Sequence, residues 1–127
     1  MYHKLSKNKI HNISLYKLMH TESFLVVLRV WEHANEVKGY DPSIWRKDFA
    51  GAWIRRDSYN CQSKYGWTIE AMTPLECGGR FLLDNLEAVH WQNALSKGKD
   101  YPVFITVLTS DGNNNIEKKR KWRISQK

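Results

Sequence analysis

The sequence predicts an α+β fold, and three observations carry that prediction. Two short runs rich in β-branched and aromatic residues, Phe49-Ala-Gly-Ala-Trp-Ile54 and Trp67-Thr-Ile-Glu-Ala-Met72, have the length and composition of strands. A stretch that opens at Asp84 or Asn85 and closes before Gly98 carries the start and stop punctuation of a helix. Two further apolar runs, Val103–Thr109 and Ile116–Ile124, flank Asp111-Gly-Asn-Asn-Asn115, the turn chemistry of a β-hairpin. The chain has 127 residues, the length of one domain with one modest core. A hydrophobic fraction of 42% and a charged fraction of 26% exclude a disordered or collagen-like chain.

Taken in order, residues 1–20 are polar and basic and read as a flexible N-terminal arm, followed by a single domain over residues 21–127. From Glu22 to Val37, Phe24, Leu25, Leu28 and Trp31 stand near helical spacing, while Val26, Val27 and Val30 equally permit a strand, so periodicity alone leaves this segment ambiguous. Gly39-Tyr-Asp-Pro42 is a turn. The two strand candidates are separated by a polar loop containing Cys61, and Thr73-Pro-Leu-Glu-Cys-Gly-Gly79 is a second loop. A side-chain oxygen at Asp84 or Asn85 would satisfy free N–H groups of the first helical turn. That helix would carry Leu86, Val89 and Trp91 inward and end before Gly98. The hairpin beyond it has a loop longer than two residues.

Charge is distributed unevenly. The formal net charge is +7, but residues 1–20 carry +4 (Lys4, Lys7, Lys9, Lys17) and residues 113–127 carry +5, while residues 21–112 carry −2. The basicity belongs to the ends, which turns a nucleic-acid reading towards the termini and away from the body. The longest apolar run, Phe24–Leu28, is followed by Arg29 and falls far short of the ~20 residues of a membrane span, so no membrane is expected. The N-terminal lysines have no apolar stretch beside them, which speaks against a secretory signal. Cys61 and Cys77 make neither a disulfide framework nor a zinc knuckle, and fit a reduced, cytoplasmic setting.

A longer pattern runs through the centre of the chain: Trp45-Arg-Lys-Asp48, Gly51-Ala-Trp-Ile54, Tyr65-Gly-Trp-Thr-Ile-Glu70, Pro74, Gly78-Gly79, Asp84-Asn-Leu86, His90-Trp-Gln-Asn93 and Lys97. Over residues 40–100 this resembles the HNH endonuclease family, and the hairpin after Tyr101-Pro102 is similar to the segment that succeeds the motif in bacterial members. The resemblance implies an HNH-like ββα-metal hairpin core with an N-terminal extension and a C-terminal β-hairpin. In that family an Asp-His pair on the first strand supplies a metal-facing carboxylate and the general base. An Asn before the helix braces the loop between the strands, and a His or Asn on the helix completes the metal site. Such a site works because the metal stabilises developing phosphorane charge while the imidazole activates water.

Carried over by position, the Asp-His pair falls on Glu70-Ala71, the bracing Asn on Asn85, and the helical ligand on Ala94. A carboxylate and the brace are kept; the general base and the helical ligand are not. No metal and no catalytic residue are therefore expected, because losing general acid-base help alone costs roughly 10²–10⁴-fold. His90-x-x-Asn93 matches positions that hold structural cysteines in zinc-containing relatives. A shifted site of Glu70, His90 and Asn93 using Mg²⁺ or Mn²⁺ is the enzymatic alternative.

The remaining residues weigh more simply. His3, His11, His20 and His33 lack metal-ligand spacing, and Trp45, Trp53, Trp67 and Trp91 read as packing ahead of base stacking. Arg55-Arg56 follow a strand and suit phosphate or solvent equally. Lys118, Lys119, Arg120, Lys121, Trp122 and Arg123 interleave cations with an indole, which suits phosphate contact plus stacking, and equally a charged edge that resists strand pairing. The expected function is a catalytically inactive HNH-like protein that binds DNA or RNA through basic termini. The alternatives are the shifted-site nuclease and a module that binds a protein partner on a nuclease scaffold.

Overall fold

The computed structural model describes residues 24–125; the basic arm expected over residues 1–20 lies outside them. Among the described residues the fold is mixed α+β, with two helices and three two-stranded antiparallel hairpins. Among the described residues no helix is long and apolar enough to cross a membrane.

The ambiguous segment is a helix, α1, over residues 24–33. Val26, Val30 and Ala34 on one row, and Val27 and Trp31 on the next, turn to the core at four-residue spacing. Phe24 and Leu25, which the apolar pattern also points inward, are exposed. The end of α1 is closed by Arg46, whose Nη1 donates to the carbonyls of Glu32 and Ala34, both at 3.0 Å. A buried guanidinium thus satisfies carbonyls that the helix leaves without partners and complements the negative end of its dipole.

Strand β1 (Trp45–Lys47) pairs with β2 (Trp53–Arg55). The strand expected over residues 49–54 is thus shorter and later than its composition suggests. The Asp48 carboxylate takes the N–H groups of Ala50 at 3.0 Å and Ala52 at 2.9 Å, which draws that part of the run into a turn.

Strand β3 (Trp67–Ala71) pairs with β4 (Leu86–His90) in the register Trp67↔His90 to Ala71↔Leu86. This corrects the expected helix from Asp84 or Asn85. Those residues close a 3-10 turn, Leu83–Asn85, and the chain then extends instead of coiling. The physical reason is pairing: Leu86 and Ala88 alternate onto the face that Trp67, Ile69 and Ala71 share with α1, which one strand satisfies and a helix would not. The helix α2 (Trp91–Lys97) begins six residues after Asn85, is capped by the His90 side chain, and ends before Gly98 as the sequence indicates.

α1 covers one face of the β3–β4 hairpin and α2 packs on the hairpin and on β5. Strands β5 (Val103–Asp111) and β6 (Asn114–Arg123) form a ribbon with a bulge, where Lys118 and Lys119 oppose Val107. The loop is shorter than expected: Gly112 and Asn113 alone turn the chain, with Gly112 at φ 59° in the first position, where a two-residue hairpin of this kind requires a positive φ. Residues Asn114 and Asn115 join the strand because Asn115 is claimed by Trp53, whose N–H donates to its Oδ1 at 2.7 Å.

Candidate functional site

Glu70 and Ala94, far apart in sequence, line one groove. Thr68 and Glu70 of β3 face Trp91, Ala94 and Leu95 of α2 across a cavity of about 260 Å³, closed at one side by Asn60, Cys61 and Gln62. Burial pushes the Glu70 carboxyl above its usual range, and the charge of Lys97 works against that. Directly across the strands stands Glu87, also raised by burial. Ala71, the next residue on β3, packs against the α1 core instead of the groove. Among the described residues no three His, Cys, Asp or Glu side chains gather as a metal site requires. The groove therefore offers one carboxylate, a thiol, amides and the Ala94 methyl group.

His90 and Asn93 have their polar atoms committed elsewhere. His90 is buried; its Nδ1 accepts from the Gln92 N–H at 3.2 Å, so its Nε2 carries the proton and donates to the Lys64 carbonyl at 2.9 Å. Burial holds this imidazole below the usual histidine range, with the Lys64 hydrogen bond and the Asp48 charge opposing. Asn93 is fully buried. Its Oδ1 accepts from the N–H groups of Val107 and Leu108, both at 2.9 Å, and its Nδ2 donates to the Leu108 carbonyl and to Asp48 Oδ2, both at 3.0 Å. The trio Glu70, His90 and Asn93 is thus not convergent: Glu70 lines the groove, and the other two tie α2 to the loop at Lys64 and to β5.

Asp48 is the residue that sequence reasoning missed. It stands in the motif, but nothing local marks it as the hub it is. Besides Ala50 and Ala52, its carboxylate takes the His90 N–H and the Asn93 amide, each at 3.0 Å. Burial raises its pKa, and those hydrogen bonds resist the rise.

Asn85 does not cap a helix; it clamps the loop between β3 and β4. Its Oδ1 accepts from the Thr73 N–H at 2.8 Å and its Nδ2 donates to the carbonyls of Thr73 and Arg80, both at 2.9 Å. Gly79 fits under the clamp because it has no side chain: a Cβ there would lie 1.8 Å from the Thr73 carbonyl oxygen.

The basic residues divide by face. On β6, Lys118, Lys119, Lys121 and Arg123 are exposed, whereas Arg120 and Trp122 are half-buried. The Trp122 indole donates to Thr106 Oγ1 at 2.8 Å and meets the Phe49 ring edge to face, while Arg120 stacks 4.5 Å from its centroid. Trp122 is thereby a packing residue, and four cations remain on open surface. Arg55 pairs with Asp57 at 3.0 Å and lies over Trp45, and Arg56 is exposed beside it. Scans against family models, curated proteins and solved structures find no match to this chain.

Proposed function

We propose that this chain is a catalytically inactive protein on an HNH-like ββα scaffold that binds nucleic acid, with β6 as the phosphate-contacting strand. The observation that carries the reading is the set Lys118, Lys119, Lys121 and Arg123, exposed together on one strand that Asn115, Arg120 and Trp122 anchor. A row of cations along an extended ribbon can track phosphates, each contact releasing condensed counterions. Support for the scaffold comes from the order strand, clamped loop, strand, helix, with Glu70 and Ala94 on one groove and Asn85 bracing the loop. Support for inactivity comes from methyl groups at 71 and 94 and from the committed lone pairs of His90 and Asn93. On this reading no metal or other cofactor takes part.

Fluorescence anisotropy on duplex and single-stranded DNA across a salt series tests this. Binding should weaken steeply with salt, and replacing all four exposed cations by Gln should reduce the duplex salt slope by about 3–4, near 0.9 for every phosphate no longer neutralised. Absence of binding at low salt sinks the reading. The enzymatic alternative has its own discriminating result: plasmid cleavage with Mg²⁺ or Mn²⁺ that disappears in Glu70→Ala. A protein-binding reading is favoured by one observation, the exposure of Leu75, Phe81, Leu82 and Leu83 on the β3–β4 loop. It takes precedence if DNA and RNA both fail to bind.

A further inference from the structure

Away from the groove, four aromatic rings line a second, open cavity of about 240 Å³: Tyr40, Trp45, Trp53 and Tyr65, with Asn113 at its side. Trp53 is 3% exposed and sits deep, held by its indole N–H on the Gly112 carbonyl at 2.8 Å. Trp45 stands nearly perpendicular to Trp53 and to Tyr65, at 85° and 89°, and Tyr40 leans over Trp53 at 55° with centroids 4.7 Å apart. A planar occupant lying on Trp45 would therefore meet Trp53 and Tyr65 edge to face, the arrangement aromatic quadrupoles favour. The Tyr40 hydroxyl donates to Asn113 Oδ1, which leaves the Asn113 amino group as a donor for a ring nitrogen or carbonyl.

A box of aromatic rings can take either a quaternary ammonium group or a flat heterocycle, and charge separates the two. Three of the four rings already have a cation close by: Lys47 Nζ at 4.7 Å from the Trp53 centroid, Arg55 Cζ at 5.4 Å from Trp45, and Lys64 Nζ at 5.4 Å from Tyr65. No carboxylate lines the cavity among the described residues. A further cation would enter against that field, whereas a base carrying its own phosphate would find stacking inside and cations around it. We propose that this aromatic cavity holds one unpaired nucleobase, with Lys47 and Lys64 receiving the adjoining phosphates and Arg55, paired with Asp57, left aside. The proposal rests on the nucleic-acid reading for its ligand but on none of the β6 residues.

The test compares an oligothymidylate about ten nucleotides long with an abasic strand of equal length, using anisotropy at fixed salt. Stacking of one base predicts that wild type prefers the base-bearing strand by roughly 5- to 150-fold. Tyr40→Ala and Tyr65→Ala should collapse that ratio towards one while leaving affinity for the abasic strand unchanged. Both substitutions are at partly exposed rings, so they avoid the deep Trp53. Equal affinity of wild type for the two strands overturns the proposal. If neither strand binds, the β6 reading fails, and the cavity is judged by adenosine 5′-monophosphate alone. Quenching of tryptophan fluorescence that Tyr40→Ala abolishes then supports base stacking. No quenching, or quenching by a trimethyllysine peptide instead, overturns it.

Discussion

Asn93 and Asp48 show what a single buried polar side chain decides in so small a core. One amide closes the free edge of β5 by accepting two N–H groups and returning a donor to a carbonyl, as a paired strand would. Its second donor bond reaches Asp48, which joins α2 to the turn after β1. Asn93→Ala is expected to cost about 3 kcal/mol or more, because it leaves buried backbone groups of β5 unpaired and takes one of its donors from the buried Asp48 carboxylate. Asp48→Asn is the sharper substitution. It keeps the shape and removes a buried charge, yet it sets an amino group against the His90 N–H and the Asn93 amide, both donors. A loss of about 2 kcal/mol in urea denaturation is expected; a neutral or stabilising result would refute the donor-donor argument. Neither role was legible in the sequence, since the partners of Asp48 at the end of β4 and on α2 lie 42 and 45 residues away. A motif can mark such a residue, but only the fold supplies its partners.

At the scale of elements, the sequence was most legible where the signal is local and least where two local signals compete. The β5–β6 hairpin was recognisable from its turn, and the end of α2 from Gly98. The start of α2 was not, because Asp84, Asn85 and His90 can each cap a helix, and only the pairing of Leu86 and Ala88 with β3 selects the last. α1 was undecided for a related reason: valines suit a strand, and their four-residue spacing became decisive only against a core. In the β3–β4 loop one side chain, Asn85, ties both ends together, which makes it a good place to test the clamp. Asn85→Ala should cost about 2 kcal/mol for its three hydrogen bonds and raise proteolytic nicking between residues 73 and 85. Gly79→Ala should cost at least as much, about 2 kcal/mol or more, because the colliding atom is backbone and cannot rotate away. Unchanged protease resistance in both variants would mean that the loop is held elsewhere.

Across the whole molecule, the buried ionisable groups set two opposed pH dependences. The resemblance pointed to Glu70 and Ala94, which line one groove, but that Ala71 turns to the core and His90 to Lys64 depends on strand parity and on a loop contact. Those same placements fix the titration. His90 is held below its ordinary 6.5, so the folded state binds fewer protons than the unfolded chain between its folded pKa and that value. Its contribution is complete above pH 6.5 and is lost as pH falls through that window. Asp48, Glu70 and Glu87 are raised from 3.8, 4.5 and 4.5, so the folded state there binds more protons. Their contribution is complete below those values and is lost as pH rises through the folded pKa. Asp41 and Glu76, lowered by hydrogen bonds to Ser43 and Lys99, act like His90 in sign but sit in full solvent, where screening leaves them little weight. Two variants separate the opposed sets in urea midpoints taken from acid to neutral pH. His90→Gln should lose the acid-side decline that wild type undergoes below 6.5, keeping an acceptor and a donor in place of the ring. Glu70→Gln should be more stable than wild type at neutral pH, with the gain vanishing as pH falls below 4.5. The second result would have a direct bearing on the groove, since it would show that the Glu70 carboxylate is kept there at a cost to stability. Equal stability of Glu70→Gln and wild type at every pH would remove that argument and return Glu70 to an ordinary surface charge.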